Sequence, residues 1–202
     1  MSRKSKFELQ KEKNLKKFEK ALSEGKVDND IVEFLKKFNE KDFYYTTSSC
    51  AGRIMLLMDL GSKKESEFIA RWHRKVNYEE VWNSIMNYIE NKNNEDKVKK
   101  GIVMFKQEPL ILHIIAYDIE KAKKILDIAL KNGLKHSGLI QWSDERYVVE
   151  INGNPRLSIP IVKYGKILVT EEYIKEIVEI ANRNFEKNAI VRDKFLNEIL
   201  EI

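Results

Sequence analysis

The chain has 202 residues, of which 43% are hydrophobic and 34% charged, with a net charge of +5 and one cysteine. That length and apolar share allow a real core and exclude a chain disordered throughout. A single cysteine excludes an internal disulfide framework, and no apolar run in the sequence approaches the ~18 residues of a membrane-spanning helix.

Charge is unevenly spread. Residues 1–20 carry eight basic and three acidic side chains, whereas residues 171–202 carry five basic and eight acidic ones. A basic N-terminus suits an anionic partner, nucleic acid being the usual one, or is a solvated helix face. The same stretch lacks the continuous apolar core of a secretory signal, so the reducing cytoplasm is the expected compartment.

In chain order, Phe7, Leu15, Phe18 and Leu22 trace a sparse helical stripe that Gly25 can end. Asp28 or Asp30 can cap a second helix carrying Ile31, Val32, Phe34, Leu35 and Phe38. From Tyr44 to Gly61 the chain contains no Lys and no Glu; Thr46–Arg53 reads as a polar loop and Ile54–Leu60 as a buried strand. Glu67–Trp72 reads as a strand, Tyr78–Glu90 as a helix and Asn91–Lys100 as a polar loop. Ile102–Phe105 and Leu110–Ala116 read as buried strands either side of Pro109, which cannot donate to a sheet ladder. Asp118 caps a helix that Gly133 stops. Gly138–Trp142 and Tyr147–Ile151 read as strands joined across Ser143–Arg146. Asn152-Gly153-Asn154-Pro155 signals a turn, and Leu157–Val162 and Ile167–Val169 read as short strands around Gly165. A long helix begins near Thr170 and reaches about Ile199, with Glu171 and Glu172 at its positive end.

Strands paired between helices predict an α+β fold: a single compact domain over residues 1–202, with a mixed β-sheet flanked by helices on a non-Rossmann scaffold. Residues 1–41 form its basic N-terminal helices and residues 170–200 its long C-terminal helix. No Pro/Gly linker, periodic repeat or low-complexity segment divides it.

Thr46-Thr47-Ser48-Ser49-Cys50-Ala51-Gly52-Arg53 is the most unusual segment. Small polar residues and glycine pack poorly, but they present hydroxyls and backbone N–H groups to a ligand. Arg53 adds a planar five-donor fork for phosphate or carboxylate. An ordinary polar loop before a strand has the same composition. Cys50 is either a nucleophile, given a neighbour that lowers its pKa, or a small buried hydrophobe. His73, His113 and His136 lack metal-ligand spacing, so no metal is expected. His113, inside the apolar run LILHIIA, is either a hydrogen-bonded core imidazole or a functional base; His73 ends a predicted strand. No GxGxxG, Walker or G-x-S-x-G pattern occurs.

The segment YYTTSSCAGRI (44–54) resembles the signature loop of the tRNA wybutosine-synthesizing protein 3 family. EGKVDNDI (24–31), RWH (71–73), FKQEPLILHI (105–114), GLKHSG (133–138), RLSIPI (156–161) and YGKILVTEEYIKEIVEIANRNFEKN (164–188) follow the same family in order, so the resemblance covers nearly the whole chain. Ala51 departs from it, where the loop usually carries a serine.

The resemblance implies an S-adenosylmethionine-dependent methyltransferase of wyosine/wybutosine biosynthesis. Its substrate would be the aminocarboxypropyl-demethylwyosine base next to the anticodon of phenylalanine tRNA, methylated at ring N4. On this reading Ser48, Ser49, Cys50, Gly52 and Arg53 are expected to bind the cofactor and Thr47 the substrate; matched motif positions add Glu108, Ser137, Gly138 and Glu172 as substrate-binding. Arg53 with His113 or His73 forms the catalytic set, because neutral imidazole can accept a proton near neutral pH. A noncatalytic tRNA-binding scaffold of the same pathway is the alternative, and a thiol-dependent hydrolase using Cys50 a third.

Overall fold

The helical spacings and apolar runs become six α-helices and nine strands in the computed structural model, which describes residues 3–143 and 146–202. In chain order they are α1 (Arg3–Ser23), α2 (Asn29–Asn39), β1 (Tyr44–Cys50), β2 (Arg53–Asp59), β3 (Glu67–Trp72), α3 (Tyr78–Glu90), α4 (Glu95–Lys100), β4 (Ile102–Glu108), β5 (Ile111–Ala116), α5 (Ile119–Lys131), β6 (Gly138–Ser143), β7 (Arg146–Asn152), β8 (Leu157–Lys163), β9 (Lys166–Ile167) and α6 (Glu171–Ile199). The chain folds as two compact units. One comprises Met1–Ala51, Pro109–Asn154 and Asn188–Ile202; the other comprises Gly52–Glu108 and Pro155–Lys187.

In the first unit, β1-β5-β7-β6 form an antiparallel sheet. Side chains alternate along β5. Leu112, Ile114 and Ala116 enter a core with Phe34, Leu35 and Phe38 of α2, Ile125 of α5 and Phe195 of α6. Ile115 points the other way, toward Tyr45, Val148 and Phe7 of α1. The Phe7 ring stands edge-on to Tyr45 and Tyr117, with centroids 5.3 Å away in both cases. Full burial of such a side chain contributes roughly 2–3 kcal/mol, so the sparse stripe of α1 still anchors the helix.

In the second unit, β3-β2-β4-β8-β9 form another antiparallel sheet. Ile54, Leu56 and Met58 of β2 and Val103 and Phe105 of β4 share a core with α3 (Val81, Ile85) and the first half of α6 (Ile174, Ile177, Val178, Ala181). The opposite face carries Arg53, Met55, Leu57 and Asp59.

The caps of α5 and α6 follow the sequence closely, whereas Asp28 makes no side-chain capping bond to α2. The Asp118 carboxylate accepts from Lys121 N at 2.8 Å. Gly133, with φ of 82°, lets Leu134 N return to Ala129 O at 2.9 Å. Thr170 Oγ1 accepts from Tyr173 N at 3.2 Å, starting α6 where expected. Tyr164 (φ 53°) and Gly165 (φ 79°) form the two-residue turn between β8 and β9.

The α+β, non-Rossmann class holds, with the strands divided between two antiparallel sheets where the sequence suggests one mixed sheet. The polar stretch before β2 is strand β1, because β5 satisfies its backbone despite its poor packing residues. The expected loop Asn91–Lys100 contains a 3-10 turn (Lys92–Asn94) and α4, anchored by buried Val98. In the expected β6–β7 connection across Ser143–Arg146, residues 144 and 145 lie outside the described residues. No helix among the described residues is long and apolar enough to cross a membrane.

Candidate active site

Thr46 is buried, and Asn39 grips it twice: Asn39 Oδ1 accepts from Thr46 N at 2.8 Å, and Asn39 Nδ2 donates to Thr46 Oγ1 at 3.0 Å. Beyond this anchor the β1–β5 ladder slips. Thr46 pairs with Ile114 and Ser49 with Leu112, so Thr47 and Ser48 both stand opposite His113. Two residues against one is a β-bulge, a device that re-aims side chains and recurs beside active sites. Thr47, Ser48 and Ser49 are exposed, and Cys50 at the strand end is half-buried.

The same row continues across the sheet. His113 pairs with Glu150 of β7, and Glu150 with Gly138 of β6. His113 Nε2 lies 2.9 Å from Glu150 Oε2, with both side chains about a quarter exposed (26% and 29%). Asn152 Nδ2 donates to Glu150 Oε1 at 3.3 Å, and Asn152 N donates to Ser137 Oγ at 3.1 Å. A neutral imidazole that donates Nε2–H to the carboxylate keeps Nδ1 as its basic atom. Thr47, Ser48, His113 and Gly138, far apart in sequence, thus lie along one line of the first unit, with Ser137 next to its Gly138 end.

Ala51, which follows β1, is held by both backbone groups. Its N–H donates to Asp28 Oδ2 at 2.7 Å, and its carbonyl accepts from buried Arg192 Nη1 at 3.2 Å. Arg192 Nη1 also donates to Asp30 at 3.0 Å. Asp28 precedes α2 but makes no capping bond with its side chain; its carboxylate serves this clamp. Ala51 is buried (4% exposed) among the residues of the apolar core. Gly52 has φ of 115°, a conformation that L side chains rarely adopt.

In the second unit, Arg53 pairs in register with Glu108. Arg53 Nε and Nη2 donate to Glu108 Oε2 at 3.0 and 2.7 Å, and Lys106 Nζ lies 3.2 Å from Glu108 Oε1. Burial alone would raise the Glu108 pKa; Arg53 and Lys106 outweigh it and hold the carboxyl below the usual carboxylate range. These residues line a cleft of about 380 Å³ on the outer sheet face, together with Phe68. His73, exposed just beyond β3, and Glu172, exposed in the first turn of α6, are not among the cleft residues. Asn182, quoted with the last-helix motif, brackets Val76 through its amide at 2.8 and 3.0 Å.

Sequence reasoning missed Glu150, Asn152, Arg192 and the side-chain role of Asp28. Glu150, Arg192 and Asp28 act through partners far away in sequence, and only the strand register could have exposed the His113–Glu150 pair.

The family model of Methyltransferase TYW3 matches residues 9–201. A relative from Thermococcus sibiricus, named tRNA(Phe) 7-((3-amino-3-carboxypropyl)-4-demethylwyosine(37)-N(4))-methyltransferase, is 36% identical over 198 residues, covering 97% of this chain and 95% of its own length. A relative of the same name from Methanocaldococcus jannaschii is 34% identical, covering 95% of this chain and 96% of its own. The solved structure of the PH1069 protein from Pyrococcus horikoshii superposes with a TM-score of 0.86 at 33% identity, covering 98% of each chain. With the bulged hydroxyl strand and its histidine row carried on a match that spans nearly all its residues, this chain belongs to the Methyltransferase TYW3 family.

Proposed function

We propose that this chain methylates ring N4 of the aminocarboxypropyl-demethylwyosine base beside the anticodon of phenylalanine tRNA, in the cytoplasm, with S-adenosylmethionine as the donor. The observation that carries the reading is the row on the four-stranded sheet: a carboxylate-held imidazole facing two exposed hydroxyls. Near-full-length relatives named for this reaction support it.

When bound, S-adenosylmethionine supplies an electrophilic methyl group on a sulfonium. The donor set here suits its carboxylate, ammonium and ribose hydroxyls. Thr47, Ser48 and Ser49 offer exposed hydroxyls, Gly52 a bare backbone and Arg53 a guanidinium fork. Ser48, Ser49, Cys50, Gly52 and Arg53 hold the donor, and Glu108 fixes the Arg53 fork in place. Gly138, at the far end of the row, and its neighbour Ser137 meet the tricyclic base with Thr47. His113 takes the proton that leaves the ring nitrogen, at Nδ1, and Glu150 stabilises the imidazolium that results. A base in an anticodon loop leaves its stack at modest cost.

Calorimetric titration with S-adenosylmethionine tests the reading against a noncatalytic scaffold. Micromolar binding that weakens about tenfold or more in Arg53→Gln supports the enzyme, a charge-assisted contact being worth roughly 1.5–3 kcal/mol. No heat of binding in the folded wild-type chain supports the scaffold.

A further inference from the structure

Strand β3 lies at the edge of the five-stranded sheet, and it carries an aromatic–cation pair, Phe68 and Arg71, that the donor and proton roles do not use. In an uninterrupted strand Phe68 and Arg71, three residues apart, would point to opposite faces. They do not, because the β2–β3 ladder slips: Leu56 pairs with Ala70 and Leu57 with Phe68, leaving Ile69 as an extra residue. The bulge turns Phe68, opposite Leu57, and Arg71, opposite Met55, to the same outer face as Arg53. There the Arg71 guanidinium lies 4.6 Å from the Phe68 ring centroid and that of Arg53 lies 5.3 Å from it. Phe68 nonetheless leaves 46% of its surface exposed.

The surrounding charge is cationic in effect. Lys63 and Lys106 line the adjoining cleft with Arg53. With Arg71 they make four cations against two acids, Glu108 and Asp59. Glu108 is held by Arg53 and Lys106, and Asp59 Oδ1 accepts from Gly61 N at 2.8 Å and Ser66 Oγ at 3.4 Å. A half-exposed aromatic ring among several cations matches a polymer that carries both π-faces and phosphates at short repeat.

We propose that this outer face is a stacking platform for unpaired RNA, in which Phe68 takes a nucleobase while Arg71, with Lys63 and Lys106, meets the flanking phosphates. The inference rests on the tRNA reading above and places part of the anticodon loop on β3. A duplex offers no free base face, so the platform selects for single-stranded loop residues.

The test measures binding of the full chain to the anticodon stem-loop of phenylalanine tRNA by fluorescence anisotropy over a salt series, with a duplex of equal length alongside. Phe68→Ala is expected to weaken stem-loop binding about tenfold or more, leave the salt slope unchanged and spare the duplex. Phe68→Tyr keeps the ring and is expected to bind like wild type. Arg71→Gln is expected to reduce the slope of log affinity against log salt by about 0.7. Thermal melts of each variant confirm that it is folded. Wild-type stem-loop affinity in both folded Phe68→Ala and folded Arg71→Gln overturns the platform while leaving the tRNA reading intact. Equal weakening toward stem-loop and duplex overturns the stacking role. A wild-type chain that binds neither RNA overturns the tRNA reading and the platform with it.

Discussion

His113 shows how one residue type changes meaning with its neighbours. Within LILHIIA it has the surroundings of a core imidazole, and two of its neighbours, Leu112 and Ile114, are buried. Its own side chain points to the other sheet face, where the Thr47–Ser48 bulge leaves it open and Glu150 holds it. In the proposed role a general base contributes about 10²–10⁴-fold to rate. His113→Ala is therefore expected to slow single-turnover methyl transfer by about 100-fold or more, with the affinity for S-adenosylmethionine little changed. Glu150→Gln keeps a hydrogen-bond acceptor but removes the charge that stabilises imidazolium, and a loss of about tenfold is expected. Unchanged single-turnover rates in His113→Ala reject the role. The histidine was visible in the sequence as a candidate. Glu150 was not, since thirty-seven residues separate the two and only the β5–β7 register joins them. Ala51 was visible as a departure from the family loop, but its burial in the core needed the fold.

Among the elements, α3 begins with a reciprocal cap. Asn77 Oδ1 accepts from Glu80 N at 2.8 Å, and Asn77 N donates to Glu80 Oε2 at 3.2 Å. Arg74 clasps the same carboxylate at 2.6 and 3.0 Å. Arg74 first, then the Asn77 backbone, hold the Glu80 pKa down at about 2. Because the folded value lies below the ordinary carboxylate value of roughly 4.3, the contribution of Glu80 is fully present above about pH 4.3 and is lost as pH falls through about 2. Unfolding midpoints of wild type and Glu80→Gln are expected to differ at neutral pH and to converge between about pH 4 and 2; a gap independent of pH contradicts this. Asn77→Ala is expected to cost about 1 kcal/mol in denaturant melts. Elements with strong periodicity or clear caps, such as α3, α5 and α6, were legible in the sequence to within a residue or two. β1 was not, because its stability comes from the β5 ladder rather than from the side chains YTTSSC, three of which are exposed. α4 escaped for a similar reason: one buried residue, Val98, in EDKVKK leaves no stripe to read.

For the molecule as a whole, the chain crosses between its two units at Ala51–Gly52, Glu108–Pro109, Asn154–Pro155 and within α6 at Lys187–Asn188. Three crossings are tight connections and the fourth is helical, so no Pro/Gly-rich linker marks a boundary, and the sequence reads as one continuous body. The two sheets follow from the same interleaving. Strands adjacent in sequence, such as β1 and β2 or β4 and β5, belong to different sheets, and composition carries no sign of that partition. What the sequence did carry was the order of motifs, and the chain matches a methyltransferase family over residues 9–201. The most direct test is methyl transfer itself. Phenylalanine tRNA carrying the aminocarboxypropyl group but lacking the N4 methyl is incubated with the full chain and isotope-labelled S-adenosylmethionine. The anticodon-loop digest is then read by mass spectrometry. One labelled methyl on the tricyclic base is the predicted result; an unlabelled base, with a folded chain that binds the tRNA, contradicts it.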